Sequence, residues 1–163
     1  MFASSWFSLE QPPNADPLLQ HRRRLTTSAG AQASIVNGDK IEFQFDCGGC
    51  TLLATSYDHY DNCAHWIYLL ARDGKILDQV DMPDVFGFVQ DIQLVAENEL
   101  AFGYFGTNDR WHLAVIEAGV WSYARDALAT RMNRFLLSKR RLMLRRVQGA
   151  PWVVPEAGPA STT

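Results

Sequence analysis

The chain has 163 residues, 47% of them hydrophobic, 12% aromatic and 20% charged. That is the size of one ordinary domain with enough apolar material for its own core, which excludes a large multidomain enzyme and a wholly disordered chain. No run approaches the roughly 18 apolar residues of a membrane span. The N-terminus lacks the basic start and apolar run of a secretory signal, and three cysteines make no disulfide framework, so a cytoplasmic, reducing setting is expected.

The formal net charge of −3 conceals a split. Residues 39–109 hold thirteen acids against three bases, a net −10, whereas residues 110–149 hold nine bases against two acids, a net +7. Such a division either neutralises itself across the folded domain or presents an acidic surface that steers a basic partner.

In chain order, residues 1–30 read as an irregular lead-in, because Pro12, Pro13 and Pro17 each remove a backbone donor. Arg22, Arg23 and Arg24 in it read as a solvated basic run. From residue 31 to 121 the pattern is that of a β-meander domain. Ile35-Val36, Asn37-Gly38 and Ile41–Phe45 carry a hairpin signature, since the Asn-Gly pair supplies two positive-φ positions. Thr51–Tyr57 is the next strand. His65–Ala71 and Lys75–Val80 form a hairpin around Asp73-Gly74, and Phe86–Val95 and Glu99–Phe105 form another around Glu97-Asn98. Arg110–Ile116 and Val120–Tyr123 are expected to join around Gly119.

A weak repeat runs through this region. Leu53-Ala54-Thr55-Ser56-Tyr57 aligns with Leu100-Ala101-Phe102-Gly103-Tyr104, and Trp66 and Trp111 follow in turn, read as core or inter-sheet anchors. The offset of 47 resembles the period of a propeller blade. The fold class expected is therefore mainly β, an antiparallel meander of two blade-like units of three to four strands. A basic element at 122–149 packs on the same domain. In it, Ser122–Arg134 is spaced as a helix, while Phe135–Ser138 and Leu142–Val147 allow a hairpin around Lys139-Arg140 instead. A loose tail follows at 150–163, with Trp152, like Trp6, available to dock a flanking segment.

No catalytic signature is present. Phosphate-cradling glycine motifs, H-E-x-x-H and calcium loops are all missing. Cys47-Gly48-Gly49-Cys50 with Cys63 and His65 offers the sulfur and nitrogen ligands of a zinc site. Gly48-Gly49 is equally a hairpin turn between ordinary strand cysteines; a redox dithiol is a further reading, although no thioredoxin-like strand and helix pattern surrounds the pair. His59, among Tyr57, Asp58, Tyr60 and Asp61, could act as a base beside Ser56, yet neither lies in a nucleophile elbow. Such a loop is equally suited to contact. The basic run Arg131–Arg146 is interleaved with apolar residues and reads as an amphipathic element before it reads as a nucleic-acid grip.

The stretches Ala64–Leu70 with Asp73–Asp78, and Phe102–Asp109, resemble the short β-rich immunity proteins of bacterial polymorphic toxin systems, including those paired with Rhs toxins. The resemblance covers roughly residues 40–147 and implies a non-enzymatic cytoplasmic protein, without cofactor, that binds a cognate toxin and blocks a basic active-site cleft. The partner-binding positions expected are the loop residues Tyr57, Asp58, Tyr60, Asp61, Asp81, Asp84, Phe105 and Asp109. The alternatives are a propeller-like adaptor and a zinc-dependent nucleic-acid binder.

Overall fold

The computed structural model describes residues 1–12, 21–59, 62–82, 88–104, 108–121 and 139–147. Its strands are β1 (Phe2–Ala3), β2 (Phe7–Glu10), β3 (Arg22–Thr27), β4 (Gln32–Asn37), β5 (Lys40–Asp46), β6 (Cys50–His59), β7 (Asn62–Ala71), β8 (Ile76–Asp81), β9 (Val89–Ala96), β10 (Glu99–Tyr104), β11 (Arg110–Trp121) and β12 (Lys139–Val147). All pairings are antiparallel. A five-stranded sheet runs β1-β5-β6-β7-β8, a four-stranded sheet β12-β11-β10-β9, and a three-stranded sheet β2-β3-β4.

The chain is thus mainly β and built of meanders, as its turn spacing predicts. The lead-in differs from expectation: residues 1–30 carry β1, β2 and β3. Strand β1 lies beside β5, and Arg22–Arg24 pair with residues of β2 and β4. The prolines fall at residue 12 and beyond it, which leaves the preceding β2 free to donate to its neighbour. The expected helix over Ser122–Arg134 lies outside the described residues. The alternative hairpin around Lys139-Arg140 is replaced by one continuous strand, β12, along β11. Strand β11 likewise runs through Gly119, where a register shift and a φ of 66° mark a bulge in place of the expected turn.

Stacking follows from burial. Every residue from Cys50 to Ser56 and from Ile67 to Leu70 is buried, the mark of strands covered on both faces. Alternation divides them. Leu52, Ala54, Ile67 and Leu69 meet Leu100, Phe102, Leu113 and Leu142 of the four-stranded sheet. Leu53, Tyr68 and Leu70 meet Phe7, Leu25 and Val36 of the three-stranded sheet. The five-stranded sheet is therefore the middle of three layers, with a separate hydrophobic core on each side.

The chain crosses between layers at Asn37-Gly38. Strands β4 and β5 belong to different sheets, so this pair makes a corner and not the expected hairpin. Gly38 adopts φ 100° and donates its N–H to the His21 carbonyl at 2.6 Å. Thr55 Oγ1 donates to the Asn37 carbonyl (2.6 Å), and the Asn37 N–H donates to Tyr68 Oη (2.9 Å), pinning the corner to the middle sheet.

A second contact between the same layers involves Gly74. A Cβ there would stand 2.1 Å from Ala33 Cβ and 3.3 Å from Phe7 Cε1, at φ +81°. Gly30 has nearly the same φ, +80°, with nothing within 4 Å. Gly30→Ala is expected to cost about 1 kcal/mol from backbone strain alone. Gly74→Ala should cost about 2 kcal/mol more, because the outer sheet must shift as well. Urea denaturation of the two variants isolates that steric difference; equal losses would mean that Ala33 and Phe7 do not press on the turn.

Candidate functional site

The strand register decides which ends face which. His59 pairs with Asn62 at the tip of β6–β7, Asp81 lies opposite Trp66, and Gly103 lies opposite Arg110. His65 and Tyr104 bring the middle and four-stranded sheets together at this same end, ring centroids 4.8 Å apart. Consequently the strand ends bordering residues 60–61, 83–87 and 105–107 all lie at one end of the stack. Of the expected contact positions, Tyr60, Asp61, Asp84 and Phe105 lie outside the described residues. Tyr57, Asp58, Asp81 and Asp109 stand on the strand ends around them.

Their surroundings differ. Tyr57 is half-buried, its ring edge-on to His21, which stacks on Trp66 at 6.1 Å. Asp58 is exposed and pairs across the hairpin with buried Cys63. Burial, and then the Asp58 carboxylate, pushes the Cys63 thiol up to about 12. Asp81 accepts from Gln79 Nε2, and Asp109 is bound by the Arg146 guanidinium. Sequence reasoning missed His21, Lys40, Glu42 and Phe88, which share this end. Glu42 is almost fully buried, accepts from Ser56 Oγ at 2.6 Å and pairs with Lys40 at 3.0 Å, while Lys40 Nζ lies 5.1 Å from the Phe88 ring centre. No local spacing signals these four, since three separate chain segments supply them.

The acids of residues 39–109 do not form one surface. Asp39 pairs with Arg23, Asp46 with Arg72 and Glu99 with His112, while Asp78 accepts backbone N–H groups from β12. Asp73 caps the β7–β8 turn at the opposite end. Local pairing thus uses much of the −10 segment, and exposed Asp58 is left at the loop end. Ser56 engages Glu42, and it is His65, not His59, that stands across the ladder from it.

The four proposed zinc ligands do not converge. Cys50 lies opposite Ala71, whereas Cys63 lies opposite Asp58, eight residues further along β6. At about 3.3 Å per residue the separation is about 26 Å, far beyond a shared metal. Among the described residues no group of three or more His, Cys, Asp or Glu is arranged to hold a metal ion.

Cys47 and Cys50 instead flank a two-residue turn, with Gly48 at φ 81° and the Cys47 N–H donating to the Cys50 carbonyl at 2.9 Å. Asp46 clamps this turn. Its carboxylate accepts from Gly48 N–H (2.8 Å) and Trp6 Nε1 (3.2 Å) and is bound by Arg72, whose guanidinium lies over the Trp6 ring at 4.7 Å. Burial opposes ionisation of Asp46, but the Gly48 N–H and Arg72 outweigh it and hold the carboxyl below its ordinary value. A depressed native value stabilises the fold above the unfolded carboxyl range, near about pH 4. The contribution falls away as pH drops through the native value. The stability gap between wild type and Asp46→Asn should therefore narrow as denaturation is repeated from pH 6 down to pH 3; a constant gap would refute the ionised clamp.

Comparisons with protein-family models, with curated proteins and with solved structures found no match for this chain.

Proposed function

We propose that the chain is a non-enzymatic binding protein of the immunity type, which captures a cognate bacterial toxin domain with the β6–β7 end of its stacked sheets. The observation that supports this reading is the convergence of Tyr57, Asp58, Asp81 and Asp109 on one end, beside strand ends contributed by two sheets. Loops carried on a rigid sheet scaffold are the usual place for recognition. Half-buried Tyr57 and its His21–Trp66 stack offer rigid aromatic area at low entropy cost. Exposed Asp58 supplies negative charge that steers a basic cleft towards the aromatic surface. A cytoplasmic location goes with the same reading.

The partner is sought by affinity capture from the native strain followed by mass spectrometry, and its activity is then assayed with and without the purified chain. Inhibition at one-to-one stoichiometry supports the proposal. Asp58→Lys should then slow association about tenfold at low salt and flatten its salt dependence, with much less change in dissociation. An unchanged low-salt on-rate, or a captured partner whose activity the chain leaves intact, would refute it.

A further inference from the structure

At the opposite end of the stack, we propose that Cys47 and Cys50 form a reversible dithiol–disulfide pair that exchanges with low-molecular-weight disulfides, such as glutathione disulfide, entering the cavity beside their turn.

Placement comes first. The two cysteines oppose each other across Gly48-Gly49, and both belong to the core between the middle and four-stranded sheets. Directly opposed, hydrogen-bonded residues of an antiparallel pair stand about 5.5 Å apart at Cα. Disulfides span about 4.4–6.8 Å, so this spacing is within reach of a bridge. The bridge would replace the present contacts of Cys47 Sγ with the Phe45 carbonyl (3.7 Å) and of Cys50 Sγ with the Cys47 carbonyl (3.8 Å). The crosslink closes only a tiny loop and constrains the unfolded chain little, which favours easy reversal.

Access comes from the cavity, about 380 Å³, which Cys47 and Cys50 line together with Leu69, Leu77, Glu117 and Arg141. Cβ atoms at Gly48 or Gly49 would meet nothing within 4 Å, and both glycines are exposed, so the turn leaves its outer side open. Arg141 is held at the cavity by its backbone N–H, which donates to Asp78 Oδ2 at 2.7 Å. Arg141 and Glu117 give the wall one charge of each sign, which suits a ligand such as a peptide thiol bearing both ammonium and carboxylate groups.

The chemistry divides unequally between the sulfurs. The neighbouring Cys47 thiol, aided by Arg141, outweighs burial and Glu117 and lowers the Cys50 thiol; the Cys50 sulfur beside it, and then burial, push Cys47 up. Cys50 is the attacking group. Its thiolate bonds to one sulfur of the incoming disulfide, the disulfide bond breaks, and the departing thiolate takes the proton that Cys50 released. Cys47 then loses its proton and attacks Cys50 Sγ, expelling the second thiol. In balance, two protein thiols and one disulfide give one protein disulfide and two small thiols. Cys63, buried at the other end with its thiol pushed up to about 12, is an internal control.

The test uses the full chain incubated at pH 7.5 with excess glutathione disulfide, then alkylated, weighed intact and mapped by peptides. The expected result is a mass lower by two hydrogens, a Cys47–Cys50 crosslink reversed by dithiothreitol, and Cys63 alkylated only after unfolding. Cys47→Ser should trap a glutathione adduct on Cys50, and neither Cys47→Ser nor Cys50→Ser should form the internal crosslink. Thiols that stay reduced in the folded wild type would overturn the proposal, and so would oxidation that reaches Cys63 at the same rate. Wild type alone decides the matter should either variant fail to fold.

Discussion

Leu53→Ala is expected to lower the unfolding free energy by about 3 kcal/mol, within the range for leucines truncated in closed cores. Leu53 is fully buried against Phe7, Leu25 and Val36, so the loss reports on the cover provided by the outer three-stranded sheet. Its neighbour Leu52 faces the other way, into the core shared with Phe102 and Leu142, and Leu52→Ala should cost a similar amount. Two adjacent residues with equal penalties are the signature of a middle layer. In a two-layer sandwich, one of them would face water and cost under about 1 kcal/mol. Guanidinium denaturation of both variants decides between these architectures.

Asp78→Ala should cost about 3 kcal/mol. The five-stranded and four-stranded sheets meet edge to edge where β8 approaches β12, and no ladder joins them there. Asp78 Oδ2 accepts the backbone N–H groups of both Arg141 and Leu142, at 2.7 and 2.8 Å, in place of a ladder carbonyl. Hydrogen bonds to a charged acceptor contribute about 1.5–3 kcal/mol each, and removing the carboxylate leaves two edge donors without it. Asp78→Asn keeps one acceptor oxygen and should recover roughly half of the loss. Thermal melts of the two variants provide the check; an Asp78→Ala melt indistinguishable from wild type would show that the seam is held by side-chain packing alone.

Much of the meander was legible because its turns carry their own chemistry. Asp73-Gly74 and Glu97-Asn98 lie between strands that pair with each other. The repeat was legible too, and it extends to register: Thr55 faces Trp66 as Phe102 faces Trp111, and Leu53 faces Tyr68 as Leu100 faces Leu113. What the repeat could not tell was direction. Leu53 points to the outer three-stranded sheet while Leu100 points to the middle sheet, because the first unit is covered on both faces and the aligned face of the second turns towards it. Asn37-Gly38 misled for a related reason. Positive φ at Gly38 fits a tight hairpin and a layer-crossing corner equally, and only the distant partners Thr55, Tyr68 and His21 distinguish them. At the loop end, Tyr57 and Asp58 could be read locally, but Glu42 sits within, and Lys40 beyond, a register irregularity in β5 that alternation does not reveal. Charge counting failed most plainly, since it cannot separate a carboxylate that clamps a turn, as Asp46 does, from one left in water.

The short strand β1 gives the outer layer an unusual tether. Phe2 and Ala3 pair with Asp46 and Phe45, so the chain leaves the middle sheet after Ala3, builds all three outer strands, and re-enters the same sheet at Lys40. The outer layer is thus an excursion anchored at both feet. Its rupture frees a closed loop and not a dangling arm, and loop closure penalises re-docking only logarithmically with length. Native-state hydrogen exchange should accordingly find residues 22–37 opening and closing as a cooperative unit of their own, while amides of β6 and β7 exchange only when the whole molecule unfolds.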